Sequence, residues 1–394
     1  MTKAIFSRQH LLELGACTAC GLCAVDCPAV LASRDGRLSG VYRLEKVRKN
    51  ILSRRGWGKI FGRKPLTPEE LRQFGDTVFK CTLCGRCEEV CPLGLGLKDL
   101  YCAIRQDMVG CGAYPEKIDF IRDNLEESHN VFGEDNEERA DWVDDLPDPP
   151  DDKYIKEQAD IVYFTGCVAS FFPLAQKGPM AAAEILGHFE VDFTLLGEEE
   201  WCCGFPLLGA GLGDRAAAMA AHNLKAVADK KATKVVLACP SCYQMWREHY
   251  PAGPQLIHLS ELFRDLVVGR PDLLRETPLK VAFHDPCDLG RGARIFEAPR
   301  EVLRAIPGIE LLELEHNRED CRCCGGGGNL EMTAPELSVA ITRDKIEEIL
   351  KTGAEAVVTS CQQCVRTMTS YVRKNKVPLE VLDLSQVVRM ALDI

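Results

Sequence analysis

No stretch of this sequence approaches the roughly 18 consecutive apolar residues needed to cross a bilayer, and residues 1–14 carry no apolar signal region. The expected location is therefore cytoplasmic, with attachment to the inner face of a membrane only through a partner subunit. Positive charge is also in short supply. Against 59 Asp+Glu stand 48 Lys+Arg, a net charge of -11, which argues against general nucleic-acid binding. The glycine run Gly325-Gly326-Gly327-Gly328 lacks the Gly-Lys-Ser/Thr ending of a phosphate-binding loop. Nor does any GxGxxG lead from a strand into a helix, so no nucleotide or flavin site is expected in this chain.

What the chain has in excess is cysteine, 21 in 394 residues. A disulfide framework is the rival reading, but the number is odd, the chain is long enough to fold without staples, and no secretory signal precedes it. Reduced thiols at fixed spacings point to metal instead. One pattern is written twice. Cys167 is followed after 34 residues by Cys202-Cys203 and after 35 more by Cys239-Pro240-Ser241-Cys242. Cys287 is followed after 35 residues by Cys323-Cys324 and after 36 more by Cys361-Gln362-Gln363-Cys364. Gaps that differ by one residue mark a duplicated unit, and each five-cysteine set reads as a ligand set.

The flanks repeat as well. Ile161-Val162-Tyr163-Phe164 precedes Cys167 and Val281-Ala282-Phe283 precedes Cys287; Val235-Val236-Leu237 precedes Cys239 and Val357-Val358 precedes Cys361. Short apolar β-rich runs ending at a cysteine predict buried parallel strands. Helical patterns at 179–188, 215–230 and 335–351 alternate with them, and a further strand is expected over 191–196. The fold class is thus α/β, with the ligands where strands end and loops begin.

Nearer the start, Cys17-x-x-Cys20-x-x-Cys23-x-x-x-Cys27-Pro28 is repeated as Cys81-x-x-Cys84-x-x-Cys87-x-x-x-Cys91-Pro92. This is the bacterial ferredoxin spacing for cubane [4Fe-4S] clusters, in which the fourth cysteine of each run ligates the other cluster. It predicts Cys17, Cys20, Cys23 and Cys91 on one cluster, with Cys81, Cys84, Cys87 and Cys27 on the other. Zinc ribbons use paired CxxC motifs and do not fit this spacing.

Between these runs, residues 43–80 carry many cations, among them Arg43, Lys46, Arg48, Arg54, Lys59 and Arg72. They read as a solvated helical insertion, or as a docking patch with Trp57, Ile60 and Phe61 interleaved. Residues 97–108 and 115–127 read as helices, the latter with Pro115 first. The acidic, proline-containing stretch 134–152 reads as an exposed connector. The expected division is a ferredoxin-like domain over 1–130, an acidic linker over 131–158, and two repeats over 159–275 and 276–394. Gly204 is expected to leave room for a cluster against the backbone. Of the unplaced cysteines, Cys102 reads as a small core residue, Cys111 has no assigned part, and Cys321 competes with Cys323 as a ligand. His284 and Asp285 are either groups that bond to the centre and deliver protons or simple strand-end caps.

Taken together, these motifs resemble the D subunit of heterodisulfide reductase. They are also similar to the iron-sulfur subunits of glycolate oxidase, anaerobic glycerol-3-phosphate dehydrogenase and lactate utilisation systems. The resemblance runs from Cys17 to Cys364. It implies a helical ferredoxin-like two-cluster domain followed by two tandem α/β CCG repeats. It further implies that Cys167, Cys202, Cys203, Cys239 and Cys242 hold one noncubane [4Fe-4S] cluster, and Cys287, Cys323, Cys324, Cys361 and Cys364 another, with a disulfide cleaved between them. Four clusters would then be present. A second function stays open at this point, that of an electron relay between a flavin-dependent dehydrogenase and a quinone or membrane cytochrome. Both functions call for a flavoprotein or other electron-donating subunit as partner.

Overall fold

The computed structural model describes residues 5–54 and 65–394, so the expected patch at Trp57, Ile60 and Phe61 lies outside the described residues. The chain groups into two compact units. The first takes residues up to 122 together with 206–214 and 325–344, and the second takes 123–205, 215–324 and 345–394.

The first unit is helical. Its helix Pro68–Phe79 starts in a capping box, with Thr67 accepting from the Glu70 N–H and the Glu70 carboxylate accepting from the Thr67 N–H. The helix buries Phe74, Val78 and Phe79, while Leu97–Gly110 buries Leu100, Tyr101, Ile104 and Met108 at helical spacing. The carbonyls at the end of Pro68–Phe79 lack partners within the helix, and two buried arginines supply them. Arg43 donates to Thr77 O at 2.8 Å and Lys80 O at 3.0 Å; Arg105 donates to Val78 O at 3.3 Å and Cys81 O at 2.7 Å. Arg43, read from sequence as part of a solvated charge run, is therefore an interior residue with 2% exposure. Pro115 stands two residues ahead of the helix Lys117–Glu127, because the Ile118 N–H bonds to Pro115 O in a tight turn first.

The second unit contains two four-stranded sheets of one topology. The strands are β1 Ile161–Phe164, β2 Phe193–Thr194, β3 Lys234–Leu237 and β4 Gln255–His258, then β5 Leu279–His284, β6 Ile309–Leu312, β7 Ala356–Thr359 and β8 Glu380–Asp383. They lie in the orders β2-β1-β3-β4 and β6-β5-β7-β8, and every pairing is parallel. All four residues of β1 and of β7 are buried, as strands covered on both faces must be. Side chains from both sheets, including Tyr163, Val236, Phe283 and Val358, share one core with Leu186, Phe263, Val302 and Val388. The expected strand over 191–196 shrinks to two residues, because β1 offers it only the pairs Ile161↔Phe193 and Val162↔Thr194.

The acidic stretch differs most from its sequence reading. Residues Asn136–Asp145 form a 3₁₀ helix that buries Arg139, Ala140, Trp142 and Val143. Trp142 and Val143 join the core, while Asp141 and Asp144 stay outside and pair with Lys153. Among the described residues, no helix is long and apolar enough to cross a membrane.

Candidate metal centres

The two ferredoxin-type motifs have one backbone shape. Ala19 and Gly21 in the first, and Leu83 and Gly85 in the second, all adopt left-handed φ, between 54° and 85°. Ala19 and Leu83 are not glycine, so each motif holds a strained residue where the chain must wrap its thiols inward. The thiols group across the motifs. Cys17, Cys20, Cys23 and Cys91 line one cavity with Leu22 and Pro92. Burial pushes the Cys23 thiol up, a backbone bond from Val41 works against it, and neighbouring Cys17, Cys20 and Cys91 push it further. Cys27 is pushed up to about 11 by burial, with Arg43 opposing and Cys81 and Cys84 adding to the rise. Burial also raises Cys87 well above its ordinary value, helped by Cys81, Cys84 and Cys27. For Cys81 burial is outweighed by the Arg43 and Arg105 guanidiniums, which leave its thiol below the ordinary value.

In the second unit, the single cysteine and the CxxC of each repeat follow adjacent central strands. Phe164 pairs with Leu237 and His284 with Thr359, so Cys167 and Cys239 leave one sheet edge together, as do Cys287 and Cys361. Between β1 and β3, and between β5 and β7, the strand order reverses, and the carboxyl ends of strands at such a point are the usual ligand position in these folds. In the first set the thiols form a continuous series of contacts, Cys167 to Cys202, Cys202 to Cys203, Cys203 to Cys242 and Cys242 to Cys239. Bonds from Cys202 and Cys242 bring Cys203 down to about 6 against the effect of burial. The Gly204 N–H donates to Cys202 Sγ at 3.5 Å. Cys239 caps the helix Pro240–His249, and its thiol is lowered by its bond with Cys242 and, against burial, by the Cys242 and Ser241 N–H groups. In the second set Cys287 contacts Cys323, and Cys324 Sγ lies 3.3 Å from Cys364 Sγ, which in turn contacts Cys361.

The two sets are also linked. The bond with Cys364 lowers the Cys361 thiol, burial outweighs it, and Cys239 and Asp288 add to the rise. Asp288 accepts a 2.5 Å bond from Ser241 Oγ, which ties the loop after Cys287 to the CxxC of the first repeat.

Several residues around the sets gave no signal in the sequence. Arg139 and Glu200, each with a 2% exposed side chain, pair at 2.8 Å. The Glu200 carboxylate also accepts from the Thr165 and Gly166 N–H groups, both at 2.8 Å, while Arg139 Nη2 donates to Cys167 Sγ at 3.6 Å. In the second repeat Arg300 forks onto Asp285 at 2.6 and 2.8 Å, and the Arg318 N–H adds a third bond. Asp285 is thus a structural acid. Cys321 is 1% exposed and takes a 3.1 Å bond from Arg291 Nη1. Its thiol is pushed up to about 12 by burial, with Arg291 opposing. Cys102 is buried and Cys111 exposed.

Glycines also serve the packing. A Cβ at Gly204 would meet Ala216 Cβ at 2.9 Å, so helix packing and a φ of +89° both call for glycine there. Within the first unit, Gly327 and Gly328 press on the backbone of Thr82 and Cys81.

Do these residues fit iron-sulfur centres? Among the described residues no cysteine is joined in a disulfide. Burial and neighbouring thiols raise several of these groups, among them Cys27, Cys87, Cys167 and Cys242; a cationic centre in their midst would ionise them together, and thiolates are the natural ligands of iron-sulfur clusters. The donor sets fit.

Fold and sites together define an iron-sulfur protein with a two-cluster domain and tandem cysteine-rich domains. The family model described as a 4Fe-4S dicluster domain matches residues 13–95, and the CCG cysteine-rich domain model matches 161–247 and 281–369. The chain belongs to the family of heterodisulfide reductase D subunits. It is 36% identical to the D subunit of the dihydromethanophenazine:CoB--CoM heterodisulfide reductase of Methanosarcina barkeri, over 99% of this chain and 97% of that one. The corresponding protein of Methanosarcina acetivorans is 35% identical with the same coverage. An EtfAB:quinone oxidoreductase of Syntrophomonas wolfei is 24% identical over 98% of this chain and 59% of its own length.

Proposed function

We propose that this iron-sulfur oxidoreductase subunit carries out disulfide/thiol redox chemistry. Two cubane centres, one on Cys17, Cys20, Cys23 and Cys91 and one on Cys81, Cys84, Cys87 and Cys27, would feed two noncubane centres on the two five-cysteine sets. The division into a ferredoxin-like domain, an acidic connecting segment that packs through Trp142 and Val143, and two repeats belongs to the same proposal. One observation carries it: both sets are complete and lie in a single folded unit, where the Ser241–Asp288 hydrogen bond ties the CxxC of the first to the loop after Cys287 of the second. Reducing a disulfide consumes two electrons and two protons, breaks one S–S bond and yields two thiols. Bound [4Fe-4S] centres supply electrons one at a time and hold sulfur as thiolate. The protein's own residues keep ten thiols gathered, and Arg139 places positive charge beside Cys167. No catalytic flavin is expected here, so electrons enter from a flavoprotein or other donor subunit.

A second reading is a relay from a flavin-dependent dehydrogenase to quinone or a membrane cytochrome. It is favoured by the similarity to a protein named EtfAB:quinone oxidoreductase, whereas the end-to-end match to the heterodisulfide reductase D subunits favours the first. The test is EPR on anaerobically purified, oxidised protein with added thiol. A new paramagnetic signal from thiol at a five-cysteine centre supports disulfide chemistry. All four centres present with no such signal supports the relay.

A further inference from the structure

Position 284 is one place where the two repeats differ in chemistry at the site. Counting back from the single cysteine of each repeat, Phe164 stands three residues before Cys167 and His284 three residues before Cys287. Both end their strands, and the register confirms the match, since Phe164 pairs with Leu237 and His284 with Thr359. Phe164 is accounted for by packing, edge-on to Trp246 at 5.5 Å. His284 is not accounted for in this way. Its side chain is fully buried, and neither Nδ1 nor Nε2 has a hydrogen-bond partner.

An imidazole with two unsatisfied nitrogens in the interior is costly, since a buried polar group without a partner loses its hydration for nothing. One of those nitrogens, Cys324 Sγ and Cys364 Sγ lie within 4.8 Å of one another. The chain groups that face the ring electrostatically are Lys345, Asp285, Glu348 and Arg291, and all four are occupied elsewhere: Asp285 by Arg300, Lys345 and Glu348 by each other at 2.7 Å, and Arg291 by Glu319 O and Cys321. In either tautomer the ring carries an N–H, on Nδ1 or Nε2.

We propose that His284 donates a hydrogen bond from this N–H to a sulfur of the iron-sulfur centre held by the second five-cysteine set, a contact Phe164 cannot make at the first. The inference rests on the function proposed above. A donor to cluster sulfur stabilises the reduced, more negative state and raises the potential. His284 therefore sets the second centre above the potential it would have with phenylalanine, and makes the two centres inequivalent as electron acceptors. It is a positioning and tuning residue, distinct from the ligands.

The experiment uses the anaerobic full chain labelled with ¹⁵N-histidine, with pulsed EPR on each paramagnetic centre and a redox titration. Weak ¹⁵N hyperfine coupling is expected on one five-cysteine centre, absent in His284→Phe. That variant keeps its iron and its second centre titrates at lower potential; His284→Gln, whose side-chain amide also donates, recovers part of the shift. Normal iron with no histidine coupling, or an unchanged potential in His284→Phe, overturns the donor alone. Strong coupling typical of directly bound nitrogen overturns it in favour of an iron ligand. Lack of iron at the second set of the unmodified chain overturns the reading beneath it. The labelled wild-type measurement needs no variant, so misfolding of His284→Phe leaves the test intact.

Discussion

Each repeat fastens the turn into its single cysteine with a buried arginine–carboxylate pair, and the two pairs come from different places in the chain. In the first, Glu200 reaches across to the Thr165 and Gly166 N–H groups and is held by Arg139; in the second, Asp285 sits in the turn itself and is held by Arg300. Such a pair adds little net stability compared with an apolar filling, but removing one partner strands the other charge. Glu200→Ala should therefore lower unfolding stability by about 3–5 kcal/mol, read as a fall in denaturant midpoint, and should loosen the iron bound by the first set. Lys225→Ala, which removes a surface pair with Asp229, should leave both unchanged. A variant at Glu200 with wild-type stability and iron would show that the turn is held by something else. None of these pairs was legible in the sequence. A buried arginine looks like any surface arginine until its partner, 61 residues away for Arg139 and Glu200, is known.

At the scale of elements, the second ferredoxin motif is tied down by backbone contacts in the first unit. Arg105 donates to Cys81 O, to Gly328 O at 2.9 Å and to Gly209 O, so one guanidinium joins three segments of chain. Gly328, with φ +62°, lies so near Cys81 O that a Cβ has no place. Gly94 has nearly the same φ, +59°, with nothing within 4 Å. The pair separates backbone strain from packing. Gly94→Ala should cost about 1 kcal/mol from the left-handed backbone alone. Gly328→Ala should cost clearly more and alter the EPR signal of the centre proposed on Cys81, measured by thermal unfolding and by spectra of the reduced protein. Equal costs would mean that the 325–344 segment yields freely. The two ferredoxin-type motifs were legible because four thiols at a fixed spacing leave few alternatives, and the 4Fe-4S dicluster domain model matches them. The left-handed turns at Ala19 and Leu83 were not, since neither residue type announces such a backbone.

For the whole molecule, the doubled cysteine pattern announced the doubled sheet. β1, β3, β5 and β7 were legible as apolar runs ending at cysteine, and they are the central strands. The flanking strands were harder to see: β4 and β8 each begin with an exposed polar residue, Gln255 and Glu380, and β2 is two residues long. Trp142 and Val143 were hidden by acidic neighbours that face solvent while these two enter the core. The ten cysteines of the repeats were named as ligand candidates from spacing alone, and the structure brings each set together, but spacing does not reveal how the sets are linked. That depends on the Ser241–Asp288 contact.

The central claim is that ten thiols in the second unit hold iron as two centres alongside the two cubanes. Iron and acid-labile sulfide per chain, measured on the anaerobically isolated full-length protein beside Cys203→Ser and Cys324→Ser variants, test it most directly. The account predicts about sixteen irons, with about four lost in each variant while the cubane signals persist. About eight irons in the unmodified chain, unchanged by either substitution, would contradict it.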